Sequence, residues 1–268
     1  MKTEEIQQRE ASFHDQWADS TPVEDVRVHA CFEAPTALEN QFILKSIGPL
    51  HGKKLLDIGV GLGESSVYFA LQGAEVTAVD ISPAMVEKVI SVARRHGVQL
   101  KGIVSGEELN LAADEFDLIY IANTIHHVAD RAKLFAQMRR ALRPGGRFFS
   151  IDPLAYNPVI NVYRKMATQV RTMDEEPLTV QDVALARRFF VNVGHREFWI
   201  ASLALFAKYY FIDHVHPNED RYWKRILLET DASLWWWKPL SRLDRLLTRI
   251  PGLRWWAWNT VMWGEKPK

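Results

Sequence analysis

From Lys53 onward, short apolar runs alternate with stretches of helical period. Residues 53–58 (KKLLDI), 75–80 (EVTAVD), 99–104, 116–122 (FDLIYIA) and 146–152 are compact apolar segments, the pattern of strands covered on both faces. Between them, residues 64–72, 83–96 and 130–142 read as helices, and Pro83 follows Ser82 at a favoured first-turn position. Pro144-Gly145-Gly146 is expected to break the chain before the fifth strand. Strands alternating with helices predict an α/β fold, a mostly parallel sheet with helices on both faces.

The flanks are helical. In residues 1–50, Thr36 is the expected cap of a helix over 36–47, with Glu39 three residues on, and Gly48-Pro49 ends it. After the fifth strand, residues 195–200 read as a sixth strand and 256–263 as a seventh. Residues 201–252 are mostly helical, with Leu240, Leu243, Leu246, Leu247 and Ile250 on one face. No repeat or linker interrupts this order. The reading is a single domain: helical cap 1–50, core 52–200, helical insertion 201–252 and last strand 253–268.

Composition narrows the classes. Thirty-three basic and 33 acidic side chains cancel, so net charge offers nothing to nucleic acid. The single cysteine, Cys31, excludes a disulfide framework and suits a reducing cytoplasm. The start, MKTEEIQQRE, reads as neither signal peptide nor presequence. The longest apolar run, 198–206, is too short to cross a bilayer. Aromatics are uneven: of ten tryptophans only Trp17 precedes Trp199, and the tail from Arg221 is basic.

The chemistry concentrates where the first strand ends. Asp57 is followed by Gly59, Gly61 and Gly63, and the second strand closes at Asp80. Glycines at such a turn let the backbone approach a nucleotide-like ligand, and an acid at the second strand's end receives ribose hydroxyls. Glycines alone would be ordinary turn residues. An NAD-binding turn places its first glycine directly after the strand, whereas here Asp57 comes first.

These segments, LLDIGVGLGESSVYFA, VTAVDIS, EFDLIYIANTIHHVAD and LRPGGRFFSIDP, resemble the class I S-adenosylmethionine-dependent methyltransferases over residues 52–152, and small-molecule or quinone-type members in particular. The resemblance implies a Rossmann-like seven-stranded sheet with the last strand antiparallel, and S-adenosyl-L-methionine as cofactor. Asp57, Gly59, Gly61 and Gly63 would surround the methionine half. Asp80 would bind the ribose, with Ile81 against the adenine. Ala122 and Asn123 would face the sulfonium. Ser105-Gly106-Glu107 stands where many relatives carry an acid for the adenine amine, so either Ser105 or a neighbouring glutamate would serve. The Pro-Pro-Tyr-type motif of nucleic-acid amino-methylating enzymes is absent after the fourth strand, which points to a small or lipid-like acceptor and no nucleic acid.

Methyl transfer from a sulfonium is an in-line displacement in which the protein aligns reactants and excludes water. A base is needed only for an acceptor that loses a proton. His126 and His127, after the fourth strand, are either such a base or walls of the pocket. Tyr156 would orient an acceptor or serve as a polar wall, while Asp152 either faces the acceptor or caps a turn. His214 and His216 lack further ligands, so no metal is expected. The aromatic insertion, with Trp223 and 235–237, reads as an acceptor pocket or lid, a buried core, a homodimer contact, or, with its arginines, a peripheral membrane contact. O-methylation is the simplest outcome. The rivals are C-methylation coupled to cyclisation of a prenyl chain, a non-catalytic scaffold, and NAD binding.

Overall fold

The computed structural model describes residues 2–106, 108–172 and 175–268. Seven strands form one sheet: β1 (Lys54–Ile58), β2 (Glu75–Asp80), β3 (Lys101–Val104), β4 (Phe116–Ala122), β5 (Leu142–Pro153), β6 (Val191–Phe198) and β7 (Asn259–Glu265). Their order is β3-β2-β1-β4-β5-β7-β6. The first five pair in parallel, and β7 runs antiparallel between β5 and β6. Order reverses between β1 and β4, the place where open α/β sheets bind ligands beyond their carboxyl ends.

Period-two alternation divides the core. Leu55, Leu118, Tyr120, Phe149 and Val261 face one cluster. Leu56, Ile58, Ile119, Ile121, Phe148 and Met262 face the other. Covering helices are α1 (Lys2–Ser20), α2 (Ala30–Glu33), α3 (Leu38–Ile47), α4 (Glu64–Leu71), α5 (Pro83–Arg95), α6 (Arg131–Ala141), α7 (Pro158–Met166), α8 (Val180–Ala186), α9 (Ala204–Phe211), α10 (Tyr222–Arg225) and α11 (Asp231–Leu247). Helix α1 docks on α5 because Asp15 accepts from the Ser82 hydroxyl at 2.5 Å and the Ala84 N–H at 3.2 Å. Among the described residues, no helix is long and apolar enough to cross a membrane.

The structure departs from expectation at element edges. Strand β5 starts at Leu142, and its glycines form a bulge: the register jumps from Phe116↔Leu142 to Leu118↔Arg147. A Cβ on Gly146 would lie 2.9 Å from the Arg143 carbonyl, so the chain bends here without leaving the sheet. Strand β6 spans 191–198 rather than 195–200, ending where Trp199 turns to φ 71°. Strand β7 begins at Asn259, because residues 253–256 form a 3-10 turn instead. Helix α3 begins at Leu38, and Thr36 donates instead to the Ile226 carbonyl at 2.5 Å.

The leucine stripe of α11 is also not its core face. Ser233, Leu234, Trp237 and Asp244 are buried, whereas Leu243, Leu246 and Ile250 are exposed. Asp244 sets this rotation: it accepts from the Ala201 N–H at 2.6 Å, from the Ser202 N–H at 3.3 Å and from the Ser202 hydroxyl. These donors belong to the turn that leads into α9. Trp237 then packs on buried Trp199, ring centres 5.4 Å apart.

Candidate active site

A cavity of about 370 Å³ lies beyond the carboxyl ends of β1, β2, β4 and β5, beneath α1, α7 and α10. Its floor is the turn after β1. Gly59 donates to the Val79 carbonyl at 2.8 Å and has φ 71°. A Cβ there would meet Thr124 Oγ1 at 2.0 Å, so only glycine lets the turns after β1 and β4 touch. Gly61, at φ 52°, has nothing within 4 Å of its would-be Cβ and borders the cavity. Gly63 lines no part of it; a Cβ there would lie 2.5 Å from Val89, so this glycine lets α4 approach α5.

Asp57 is buried below the floor, its Oδ2 accepting from the Ser65 and Ser66 hydroxyls at 2.6 Å each. Oδ1 has no partner among the described residues, and burial pushes the carboxyl up to about 7. Asp80 lines the cavity and accepts from the Gly61 N–H at 3.3 Å and the Ser82 N–H at 3.0 Å. Burial raises this carboxyl, partly offset by those amides. Ile81, Ser105, Gly106, Ala122 and Asn123 border the same space. Ser105 donates to the Glu108 carbonyl at 2.6 Å, leaving its oxygen lone pairs available. Asn123 holds a left-handed φ of 52°. Glu107 lies outside the described residues.

These features fit the implied cofactor. Open space above Gly61, an aligned carboxylate at Asp80 and an orphaned oxygen on Asp57 are what a bound nucleoside with an amino-acid arm would require.

The opposite wall carries titratable groups. The 3-10 turn Ile125–His127 follows β4 and sets His126 against Asp152 of β5. Asp152 Oδ1 accepts from the His126 N–H at 3.2 Å and lies 2.8 Å from His126 Nδ1. That leaves Nε2 as the nitrogen without a hydrogen bond, 3.9 Å from Glu175. Burial, then the charges of His127, Arg171, Arg164 and Arg131, hold the His126 imidazolium well below its ordinary value. Burial pushes the Asp152 carboxyl up to about 8, opposed by the His126 N–H. His127 packs against His126 with the rings tilted by 39° and their centres 4.2 Å apart, and its Nδ1 lies 3.3 Å from Glu10 of α1. Burial alone would raise Glu10, but hydrogen bonds from His127 and His14 outweigh it and hold the carboxyl low.

Both histidines therefore line the cavity, as expected from their position, while Tyr156 does not. Its hydroxyl accepts from the Val180 N–H at 3.2 Å, pinning the start of α8. Asp152 joins the site from behind His126; its capping and site readings were equally open from sequence. Glu10, Tyr163, Arg164, Arg171, Glu175 and Arg221 border the cavity without any sequence motif to mark them. His14 and Trp17 also line it. Trp17 lies beneath Arg221 and Lys224, 4.2 and 4.7 Å from its ring centre. Possible ligand atoms of His126, His127 and Glu175 lie within 4.8 Å of one another. Arg171, however, pairs with Glu175, and this positive surround opposes a cation.

A methyltransferase-domain family matches residues 56–150. The ubiquinone biosynthesis O-methyltransferase of Xylella fastidiosa is 37% identical over 108 residues, 38% of this chain and 42% of that protein. Phosphoethanolamine N-methyltransferase 3 of Arabidopsis thaliana is 33% identical over 124 residues, 42% of this chain and 24% of that protein. The chain thus matches about half the length, or less, of these curated relatives. Among solved structures, the complex of the Haloferax volcanii Trm112 activator with a putative methyltransferase aligns at a TM-score of 0.61, with 16% identity, over 95% of this chain and 98% of that one. The sheet order, the glycine turn between β1 and α4 and the family match agree: residues 56–150 of this chain carry a methyltransferase domain of the S-adenosylmethionine-dependent kind.

Proposed function

We propose that the chain transfers a methyl group from S-adenosylmethionine to a hydroxyl of a small, partly apolar acceptor, with His126 as general base. The observation that carries this is the His126–Asp152 pair, buried in the wall of the cavity whose floor is the glycine turn. Gly59, Gly61 and Asp57 shape the methionine end. Asp80 takes the ribose hydroxyls, Ile81, Ser105 and Gly106 flank the adenine, and Ala122 and Asn123 face the sulfonium.

The bound sulfonium supplies an electrophilic methyl group. The chain's own part is alignment and proton removal. With one proton on the pair, Nδ1–H donates to the Asp152 carboxylate and the Nε2 lone pair faces the acceptor. Taking the acceptor's proton there gives an imidazolium beside a carboxylate, a pair with no net charge, which burial favours. Asp152 acts as a positioning residue, fixing the tautomer. Phe13, Trp17, Ile160, Trp223 and Trp258 give the chamber apolar walls, which suits an aromatic or lipid-like acceptor.

The outer face of α11 supports a meeting with that acceptor at an anionic bilayer. Trp235, Leu243, Leu246 and Ile250 are exposed among Lys238, Arg242, Arg245 and Arg249, and Trp256 is exposed beyond them. None of these four cations is ion-paired among the described residues. Apolar anchors interleaved with unpaired cations complement acidic headgroups.

The first test is calorimetric titration of S-adenosylmethionine and S-adenosylhomocysteine, with NAD and Asp80→Ala as controls. Binding of both sulfur ligands, lost in Asp80→Ala, is expected. Folded, ligand-free protein that binds neither refutes the proposal.

A further inference from the structure

Three arginines line the cavity, and two of them make no ion pair among the described residues. Arg164, Arg171 and Arg221 all line it, together with Tyr163. Arg171 is paired with Glu175. Among the described residues, Arg164 donates only to neutral acceptors, Asn161 Oδ1 at 2.7 Å and the Leu154 carbonyl at 3.0 Å. The Arg221 guanidinium stacks on Trp17 and makes no hydrogen bond or ion pair to a described residue. The other charges here are matched: Lys224 with Glu64, and Glu10 with His127 and His14. Among the described residues, neither the Arg164 nor the Arg221 guanidinium is ion-paired with a carboxylate.

Their setting makes this costly. Burial lowers the pKa of all three, that of Arg164 to about 9, and Arg171 further opposes Arg164. All three arginines are half-buried, where a charge without a counter-charge is less well solvated than in water. Tyr163 adds an independent sign. It is 8% exposed, and its hydroxyl, in the same wall, has no acceptor. A buried hydroxyl proton and two guanidinium groups without an ion pair, all in the wall of one cavity, lack one thing in common: an oxyanion.

We propose that Arg221 and Arg164, with Arg171 and the Tyr163 hydroxyl, bind a carboxylate or phosphate group carried by the methyl acceptor. The acceptor is then an amphiphilic acid, its oxyanion at the arginines and its hydroxyl at His126. Fixing the anion at one end sets which hydroxyl meets the base, so the arginines would govern regiospecificity as well as affinity. This inference rests on the methyltransferase reading above.

The test uses protein saturated with S-adenosylhomocysteine, titrated with benzoate, phenyl phosphate and the neutral benzamide. At least one oxyanion is expected to bind tenfold or more tightly than benzamide. Which of the two binds better separates a carboxylate from a phosphate acceptor. Arg221→Gln is expected to abolish that preference while leaving S-adenosylhomocysteine affinity within about twofold, and Tyr163→Phe to reduce it with the fold intact by circular dichroism. Equal affinity for acid and amide, including no binding of either, overturns the proposal while the cofactor reading stands. A parallel loss of S-adenosylhomocysteine binding in Arg221→Gln also overturns it, because the arginine would then serve the cofactor's own carboxylate. Failure of the unmodified protein to bind S-adenosylhomocysteine at all would instead remove the methyltransferase reading itself.

Discussion

Two alanine substitutions, two residues apart, should fail for different reasons. In Gly59→Ala the new Cβ would stand 2.0 Å from Thr124 Oγ1 and 2.8 Å from its Cγ2. Thr124 cannot easily yield, since its hydroxyl donates to the Ala122 carbonyl at 3.0 Å and lies 3.3 Å from that of Ile58. Overpacking of this kind costs about 1–3 kcal/mol, and a left-handed φ adds about 1–2 kcal/mol. At about 2–4 °C per kcal/mol for a chain of this size, the thermal midpoint should fall by roughly 4–20 °C. In Gly61→Ala the Cβ meets nothing within 4 Å, so only the backbone strain of about 1–2 kcal/mol applies. That variant should fold, with a midpoint a few degrees lower. Its methyl group, however, enters the space assigned to the cofactor, and S-adenosylhomocysteine affinity should drop at least tenfold. Scanning calorimetry with and without S-adenosylhomocysteine, together with isothermal titration, reads both effects. If Gly61→Ala binds the ligand as the unmodified protein does, the loop does not cradle it and the argument fails.

Other outcomes follow from the same geometry. Because the base form of the His126–Asp152 pair has lost a proton and burial raises Asp152 to about 8, the transfer rate should rise as pH passes through about 8. His126→Gln should flatten that profile and lower kcat by about 10²–10⁴; an unchanged profile would exclude His126 as the base. Tyr156→Phe should leave KM and kcat within about twofold, since its hydroxyl meets Val180 outside the cavity. Asp244→Ala removes the acceptor for three donors at 201–202 and should cost about 1–3 kcal/mol, read as a lower urea midpoint with S-adenosylhomocysteine affinity retained. Co-sedimentation with phosphatidylglycerol vesicles, absent with phosphatidylcholine, should be lost in Trp235→Ala/Arg242→Glu. Self-association without vesicle binding would make that face a dimer contact instead.

The local patterns were legible because they are short-range. Apolar runs bounded by turns marked the parallel strands, and Gly59, Gly61 and Asp80 announced a ligand site because a backbone cradle and a strand-end acid are both encoded within about thirty residues. His126 and His127 were visible for the same reason, by following β4. The edges failed where pairing overrode propensity: Gly145 and Gly146 sit within β5 because Arg147 pairs with both Leu118 and Glu265. The α11 stripe failed because Asp244 binds a turn about forty residues away, and no helical periodicity contains that information.

What the sequence determined by itself is the α/β order, the glycine turn and the kind of ligand it accommodates, since each depends on neighbours along the chain. What tertiary structure alone decided is which polar groups meet. Asp152 stands behind His126 because β4 and β5 are adjacent. Glu10 reaches His127 because α1 folds over the sheet edge, and Arg164, Arg171 and Arg221 converge from two segments separated by β6 and α9. Tryptophans alike in sequence separated into buried Trp237, cavity-lining Trp223 and exposed Trp235. Burial and charge balance arise only when distant segments share one low-dielectric space, and these quantities set proton affinity and anion demand at the site.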